Sequence, residues 1–250
     1  MATEDGVNAA RPFVLGLTGS IGMVRDPAPP RARTRTGRLT RLPQGKSTVA
    51  GFLRARGVPV VDADAIVAEL YAPGGAAVAA VEARFPGSTG PDGGLDRARL
   101  SRHVVGRPAA LAALEVLVHP LVAAERRRRE AALAREGGHA VVAVDIPLLY
   151  ETGAEATCDA VLVVAAPPAE QARRVLARPG MTPEKFAGIT ARQLPSEEKC
   201  RRADHVVDTG CSLAATEARV AEVVAAVRAQ AQAGAEEGAG QLGRPGSSGG

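Results

Sequence analysis

Two halves of a glycine-rich phosphate-binding motif lie far apart near the start of the chain. The first half, "GSIGM", ends at Met23, and the second half, "GKST", begins at Gly45. A phosphate-binding loop has four residues between its first glycine and its Gly-Lys pair, whereas twenty-five residues separate Gly19 from Gly45. Removing Val24–Gln44 restores the motif between a predicted strand and a predicted helix. We therefore interpret the halves as one loop divided by an insert; two unrelated glycine turns are the alternative.

Each part of the restored loop has a role in binding phosphate. Glycines allow backbone N–H groups to surround phosphate oxygens, and the positive end of the following helix dipole adds to the attraction. Lys46 could reach the β- and γ-phosphates of a nucleotide, and the Ser47 hydroxyl could bind Mg²⁺. The motif thus predicts a nucleotide site where the helix Lys46–Arg56 begins.

Carboxylates follow two of the predicted strands. Asp62 and Asp64 end the strand 58–64, and alternate residues on a strand face the same way. Both could therefore act in the site, as a base and a metal-organising group, although Asp64 could instead cap the next helix. Asp145 ends the run "AVVAVD", where an acidic residue can hold Mg²⁺ through water; a turn or a cap is the alternative.

Three further polar residues are candidates on weaker grounds. His119 precedes Pro120 inside a helical segment, and a lone histidine is more often structural or a simple polar contact than catalytic. Arg174 and Arg178 are four apart on a predicted helix and so share a face. They could bind phosphates from a mobile lid, or they could simply be exposed.

Five apolar runs alternate with segments of helical periodicity. Strands separated by helices indicate an α/β fold with a parallel sheet covered on both faces. Ligands in such folds bind at the carboxyl ends of the strands, and the divided loop and the three aspartates lie at or near such ends. The predicted strands are 13–17, 58–64, 139–147, 159–167 and 203–208.

The predicted helices are bounded by proline, glycine and capping residues. The pattern over 109–136 is helical but interrupted at Pro120. A final amphipathic helix is predicted over 212–232, with Ser212 as its N-cap. From Ala233 to Gly250 the composition predicts disorder, so the folded domain is predicted to span residues 1–232.

The composition restricts the class of protein. The net charge of +4 does not indicate nucleic-acid binding, because Val24–Gln44 alone has six Arg and one Asp, and the rest of the chain has 25 basic and 26 acidic residues. The N-terminus lacks a secretory h-region. The longest apolar runs are shorter than the roughly 20 residues of a membrane span. Three widely spaced cysteines indicate a reducing compartment. We predict a cytoplasmic protein without nucleic-acid or membrane partners, whose oligomeric state stays open.

Together these residues resemble the dephospho-CoA kinase family. The resemblance runs from about Val14 to about Arg228, interrupted only by Val24–Gln44. It is carried by "GLTGSIGM", "GKSTVA", "GVPVVDAD", "DGGLDRARL", "LEVLVHPLV", "VDIPLLYETG", "QARRVLAR", "RQLPSEEK" and "ADHVVD". It implies a P-loop kinase, a three-layer α/β/α fold with a five-stranded parallel sheet, a helical acceptor-binding region and a lid. It also implies transfer of the γ-phosphoryl of ATP to the ribose 3′-hydroxyl of dephospho-CoA, giving CoA and ADP, with Mg²⁺.

The resemblance assigns roles to individual residues. Asp64 resembles the base that receives the hydroxyl proton. Asp64 and Lys46 together resemble the catalytic residues of the family, and Ser47 resembles its metal ligand. The residues that resemble the ATP site are Gly19, Ser20, Ile21, Gly22, Met23, Gly45, Lys46, Ser47, Thr48, Arg174 and Arg178. The residues that resemble the acceptor site are Asp62, Asp64, His119, Asp145, Leu148 and Glu151.

Two features depart from the family pattern. "DTGC" stands where the family often has Asp-Asn-x-Gly near the adenine, so Thr209 and Cys211 leave the adenine contacts open. The insert Val24–Gln44 enters the most crowded backbone of the site and is expected to damage it. Because Val codons begin with GT and Gln can be encoded by CAG, we interpret it as a non-native segment, a retained in-frame intron. Sequencing the transcript tests this hypothesis.

Alternative functions follow from the same features. A different P-loop kinase could act on nucleosides or nucleotides. A protein with a broken loop could bind CoA compounds without transferring phosphate. Nucleic-acid binding through the arginines of the insert is weak, because the rest of the chain is nearly neutral.

Overall fold

The structure is a computed structural model that describes residues 11–19, 45–178, 180–191 and 193–242. Each strand overlaps a predicted one. The strands are β1 (Phe13–Gly19), β2 (Val60–Asp62), β3 (Val141–Asp145), β4 (Ala160–Ala165) and β5 (His205–Asp208). They form a five-stranded sheet in the order β2-β3-β1-β4-β5. The pairings of β1 with β3, β1 with β4 and β4 with β5 are parallel.

Nine helices lie between and after these strands in the described residues. The short helix α8 and a 3₁₀ turn at Ala154–Thr157 were not predicted. The helices are α1 (Gly45–Ala55), α2 (Ala63–Tyr71), α3 (Val78–Arg84), α4 (Arg97–Val104), α5 (Pro108–Gly137), α6 (Pro168–Leu176), α7 (Pro183–Thr190), α8 (Ser196–Arg202) and α9 (Leu213–Leu242).

The chain divides into two compact units, Met1–Val60 with Leu133–Gly250, and Val61–Ala132. In the first unit, one face of the sheet packs against α1 and α9 through Leu17, Leu53 and Val223. The other face is covered by Leu149 and its neighbours, which pack against Val161 and Val163 of β4. Because both faces of the sheet are covered, the predicted three-layer α/β/α arrangement is confirmed. Burial on both faces also explains why the strands appear in the sequence as continuous apolar runs.

The second unit is helical apart from the end of β2. Its buried apolar side chains come from several elements, including Ile66 and Leu70 of α2, Val81 of α3 and Leu114 of α5. Spacings of three and four residues along α2 and α5 place these side chains on one stripe of each helix. This unit therefore has apolar residues of its own to form a core.

Helix α5 differs from the prediction in two respects. It runs through Pro120 without a break. A proline has no N–H, so the carbonyl of Val116, one turn earlier, loses its helical hydrogen bond. Because Val116 is 74% exposed, solvent can bind this carbonyl instead. Its segment Pro108–Glu136 is also long and apolar enough to cross a membrane by length and composition, with 11% of the apolar window buried. One such helix is a weak indication, since core helices of soluble proteins pass the same test.

Two other predicted boundaries were wrong. Strand β2 ends at Asp62, so Asp64 lies in the first turn of α2 and strand alternation does not align the two carboxylates. Helix α9 continues to Leu242, ten residues past its predicted end at 232, because alanine, glutamate and glutamine favour helix in the segment assigned to disorder. The predictions for 24–44 and for 243–250 lie outside the described residues.

Candidate active site

A buried ion pair lies where the phosphate-binding motif meets the sheet. Lys46 is in the first turn of α1, and its Nζ atom is 2.6 Å from Oδ1 of Asp145. The two side chains are 3% and 13% exposed. A buried ammonium is strongly destabilising unless it is paired, so Asp145 supplies the charge that allows Lys46 to remain here. The predicted residues Lys46 and Asp145 are therefore brought together.

The sheet register explains why these two residues meet. Strands β1 and β3 are parallel, and Asp145 is level with Leu17. The N–H of Ile146 donates to the Leu17 carbonyl at 2.9 Å, and the buried Thr18 hydroxyl donates to the Pro147 carbonyl at 3.1 Å. The end of β1 and the segment after β3 are thus held side by side at the carboxyl edge of the sheet.

The remaining described residues of the divided motif lie at the end of β1 and in the first turn of α1. Gly19 ends β1, Gly45 begins α1, and Ser47 and Thr48 are half-buried in its first turn. No acidic residue occupies that turn, so the positive end of the helix dipole is not neutralised by its own side chains. The predicted residues Ser20, Ile21, Gly22 and Met23 lie outside the described residues.

A second buried lysine lies at the same edge of the sheet. Lys199 of α8 is fully buried, and its Nζ atom is 2.7 Å from Oε1 of Glu151 and 3.5 Å from the Gly19 carbonyl. The same Glu151 oxygen accepts the Leu194 N–H at 2.9 Å. Glu151, predicted to face the acceptor, is thus engaged with Lys199, while Leu148 on the same segment is exposed.

One of the two arginines predicted to bind phosphates from a lid, Arg174, is bound to Glu170 and Thr209 in the described structure. Arg174 donates from Nε to Glu170 at 2.7 Å. Its other nitrogens donate to the hydroxyl and the carbonyl of Thr209, at 3.1 and 2.9 Å. Arg174 therefore ties α6 to the residue that follows β5. Arg178 is half-buried just beyond the end of α6.

The other predicted site residues belong to the second unit. Asp62 is the N-cap of α2, where its Oδ1 accepts the Ala65 N–H at 3.1 Å. Asp64 is exposed in the first turn of the same helix. His119 is exposed on α5. The capping role considered for Asp64 is thus filled by Asp62.

Comparison with known proteins identifies the family of this chain. The family model for dephospho-CoA kinase matches residues 38–215. A dephospho-CoA kinase of Novosphingobium aromaticivorans is 50% identical over 218 residues, covering 87% of this chain and 96% of that protein. The chain belongs to the dephospho-CoA kinase family. A second relative, the dephospho-CoA kinase of Mesorhizobium japonicum, is 46% identical over 220 residues, covering 87% and 98% of the two chains.

Solved structures agree with the fold. A Thermus thermophilus protein is 36% identical with a TM-score of 0.68, covering 86% of this chain and 97% of its own. The dephospho-CoA kinase of Campylobacter jejuni, at 20% identity and a TM-score of 0.55, covers 87% and 98% and supports the fold. These structures confirm the predicted α/β fold, and the family model together with the two relatives confirms the predicted family.

Two ionisable groups of this family member have shifted pKa values that strengthen their ordinary protonation states. Hydrogen bonds from Arg173 and then from Arg174 lower the pKa of Glu170 from 4.5 to about 2. Burial, followed by the charge of Asp204, raises the pKa of Tyr150 to about 12. The Glu170 carboxylate therefore stays ionised beside Arg174, and the Tyr150 phenol stays neutral beside Glu151.

Sequence reasoning missed Lys199 and the link between Arg174 and Thr209. A signal for Lys199 was present, because the dephospho-CoA kinase chain has 31 basic residues but only three lysines, Lys46, Lys185 and Lys199. Two of these three lysines, Lys46 and Lys199, are buried beside carboxylates, where a compact ammonium and a wide guanidinium are not interchangeable. No local pattern pairs Arg174 with Thr209, since 35 positions separate them.

Proposed function

We propose that this chain is a dephospho-CoA kinase, which transfers the γ-phosphoryl of ATP to the ribose 3′-hydroxyl of dephospho-CoA and gives CoA and ADP. The observation that carries the proposal is the buried Lys46–Asp145 pair at the carboxyl edge of the sheet, where α1 begins. Membership of the family, with 50% identity to a named dephospho-CoA kinase, supports the choice of acceptor. ATP is the donor expected of a kinase.

Lys46 is the residue proposed to bind the transferred phosphate. Phosphoryl transfer needs positioning and neutralisation of charge on the phosphate oxygens more than covalent chemistry from the protein. In the described structure Lys46 is paired with Asp145, so the ammonium is already desolvated and held beside the loop. When the phosphates bind, we expect the Lys46 ammonium to bind phosphate oxygens, either in place of Asp145 or together with it.

The oxygen donors near Lys46 suit Mg²⁺, which prefers carboxylate and hydroxyl oxygens and retains several waters. Ser47 would bind the ion through its hydroxyl, and Asp145 would hold it through water. Bound Mg²⁺ would neutralise charge on the β- and γ-phosphates. Asp145 also orients the Lys46 ammonium, whose Nζ atom is 2.6 Å from its Oδ1 atom.

Asp64 is proposed to accept the proton of the ribose 3′-hydroxyl. Its carboxylate is exposed and has no capping role, since Asp62 caps α2, so it can meet a substrate without breaking the helix. The exposed residues His119 and Leu148 are proposed to contact the acceptor, through a polar and an apolar surface. Asp62 is proposed to hold Asp64 in place through the cap.

The effect of the insert on activity is tested by comparing the full chain with a chain that lacks Val24–Gln44. Both are given ATP, Mg²⁺ and dephospho-CoA, and CoA formation is followed. We expect the shortened chain to form CoA at least 100-fold faster, because successive N–H groups of the loop must converge on one anion. A Lys46→Met variant of the shortened chain is the control and should lose about 10²–10³-fold in kcat/KM.

The outcomes separate the competing functions. Equal activity of the two chains would refute damage by the insert. Phosphorylation of nucleoside monophosphates but not of dephospho-CoA would replace the proposal with another P-loop kinase. Calorimetry that detects dephospho-CoA binding without ATP binding would favour a non-catalytic CoA-binding protein, the alternative that the divided loop suggests.

We also propose a cytoplasmic protein with a small-molecule substrate. No disulfide joins Cys158, Cys200 or Cys211, all of which lie in the described part of the chain, and this supports a reducing compartment. Cell fractionation tests the location. Recovery of the chain in the membrane pellet after a salt wash would instead indicate that the apolar part of α5 binds lipid.

A further inference from the structure

Lys199 is the largest fully buried side chain in the described part of the chain. Burying an ammonium costs several kcal/mol even when it is paired, and an apolar side chain of similar volume is often as stable or more so. Packing alone would therefore be served by methionine or leucine. The partners of Lys199 show what the charge provides.

The Lys199–Glu151 pair joins three separate segments of the first unit. Lys199 reaches Oε1 of Glu151 at 2.7 Å and the carbonyl of Gly19 at 3.5 Å. The same Glu151 oxygen accepts the N–H of Leu194 at 2.9 Å. Gly19 is the first residue of the phosphate-binding motif. Leu194 follows α7 and lies at the base of the segment α6–α7, which contains the predicted lid residues Arg174 and Arg178.

The pair is also linked to the Lys46 site through the segment after β3. Asp145 pairs with Lys46, the Pro147 carbonyl accepts the Thr18 hydroxyl, and Glu151 ends this run. Both buried lysines are thus held by carboxylates of one short segment. A displacement of Glu151 would move the end of β1 relative to that segment.

Direct contact of Lys199 with substrate does not fit the geometry, because its side chain is 0% exposed. The Glu151 oxygen that faces Lys199 already accepts two donors. Lys199 can therefore act only through the groups that it holds, and Glu151 Oε1 acts with it.

We propose that Lys199 and Glu151 are positioning residues, which fix the Gly19 carbonyl and the base of the α6–α7 segment and thereby set the affinity for ATP. The inference rests on the proposed function only in that ATP is the ligand of the divided loop. It assigns Glu151 a role in ATP binding in place of contact with the acceptor.

The test uses the full chain and four variants. Lys199→Met and Glu151→Gln each remove one charge, and the double variant E151M/K199M replaces the pair with two apolar side chains. Arg201→Met is the matched control, because Arg201 is on the same helix and 76% exposed. Melting temperature, calorimetric affinity for ATP and for dephospho-CoA, and hydrogen exchange at the Leu194 amide are measured for each.

A positioning role predicts that stability and ATP affinity separate. The single variants should melt lower, because each leaves a buried charge uncompensated, and E151M/K199M should recover part of that loss. ATP affinity should fall at least tenfold in all three and should not recover in the double variant. Exchange at Leu194 should be at least tenfold faster, whereas affinity for dephospho-CoA should change less than twofold. Arg201→Met should match the wild type.

Other outcomes overturn the inference. ATP affinity within twofold of wild type in folded Glu151→Gln, or recovery of ATP affinity together with melting temperature in E151M/K199M, would leave only a structural role. If Lys199→Met does not fold, the ATP affinity of Glu151→Gln decides between the two roles. This variant is expected to fold, because glutamine can still form a hydrogen bond with Lys199.

Failure of the proposed function is recognised separately. A wild-type chain that binds ATP but does not phosphorylate dephospho-CoA refutes the proposed reaction, and the ATP measurements still decide the role of the pair. If the wild-type chain binds no ATP, the same variants are compared in the chain without Val24–Gln44. A tenfold loss of ATP affinity there supports the inference, and affinity within twofold of that parent overturns it.

Discussion

Lysine and arginine occupy different places in this molecule. Of the three lysines, Lys46 and Lys199 are buried against carboxylates at the carboxyl edge of the sheet, while Lys185 is exposed on α7. An ammonium is a compact point charge, whereas a guanidinium is a wide planar group that needs a matching fork of acceptors. The exchange of either buried lysine for arginine is therefore not conservative.

Asp64 provides a test of proton transfer at the scale of one residue. Asp64→Asn in the chain without Val24–Gln44 should lower kcat by about 10²–10⁴-fold, because asparagine has the same size but cannot accept the proton. The KM values for ATP and dephospho-CoA should stay nearly constant. Steady-state kinetics measure this, and a kcat within threefold of the parent would remove Asp64 from the chemistry.

Glu170 provides a test of electrostatics. Its pKa is lowered from 4.5 to about 2 by Arg173 first and Arg174 second. A carboxylate with a lowered pKa contributes stability that is present above its unfolded value and is lost as the pH falls. The pairing of Glu170 with both arginines should therefore persist at pH 4.5 and disappear as the pH falls toward about 2.

An NMR titration of the Glu170 carboxyl carbon measures this directly. Arg173→Met should raise the midpoint toward 4.5 more than Arg174→Met does, since Arg173 is the larger cause. A wild-type midpoint near 4.5 would show that the arginines do not hold the carboxylate in solution. It would also weaken the assignment of Arg174 to Thr209.

At the scale of elements, side chains just before the helices fix where helices begin. Asp62 caps α2, Asp96 caps α4, Thr182 caps α7 and Ser212 caps α9, each by accepting a backbone N–H of the first turn. Such caps stabilise a helix by about 1 kcal/mol each. The cap of α2 matters most, because it fixes the position of Asp64.

Two substitutions at Asp62 separate capping from charge. Asp62→Ala should lower the free energy of unfolding by about 1 kcal/mol, whereas Asp62→Asn, which is an equally good cap, should be close to wild type. Urea denaturation measures both. If Asp62→Asn also loses affinity for dephospho-CoA while remaining stable, the charge of Asp62 contacts the acceptor as the family resemblance implies.

At the scale of the whole molecule, α9 completes one face of the sheet. Val220, Val223, Val224 and Val227 are buried in the core of the first unit, whereas residues 232–236 are exposed. Burial of a valine side chain stabilises by roughly 1.5–3 kcal/mol, so four of them approach the total stability of about 5–15 kcal/mol of a domain. The folded domain is therefore proposed to end near residue 232, although the helix continues.

Truncation tests this boundary. A chain that ends at Ala233 should keep its free energy of unfolding within about 0.5 kcal/mol, as expected for loss of exposed surface. A chain that ends at Arg219 lacks the four valines and should not fold. A large loss of stability in the first truncation would show that residues beyond Ala233 pack against the domain.

Much of the fold was predictable because its signals are local. Apolar runs predicted all five strands, and the order of strands and helices predicted the parallel sheet. Helix boundaries were less predictable, as α5 and α9 show, because solvent exposure decides whether a proline or an alanine-rich tail stays helical. Helix α8 was missed because seven mostly charged residues have no apolar periodicity.

The sequence by itself determined the family and the divided loop, because each half of the loop and each strand-end aspartate stands in a recognisable local pattern. Only the tertiary structure decided which charges meet. The pairs Lys46–Asp145, Lys199–Glu151 and Arg174–Thr209 join residues 35 to 99 positions apart. Their pairing depends on the register of parallel strands and on burial, which makes an unpaired charge costly, and neither is encoded in a local pattern.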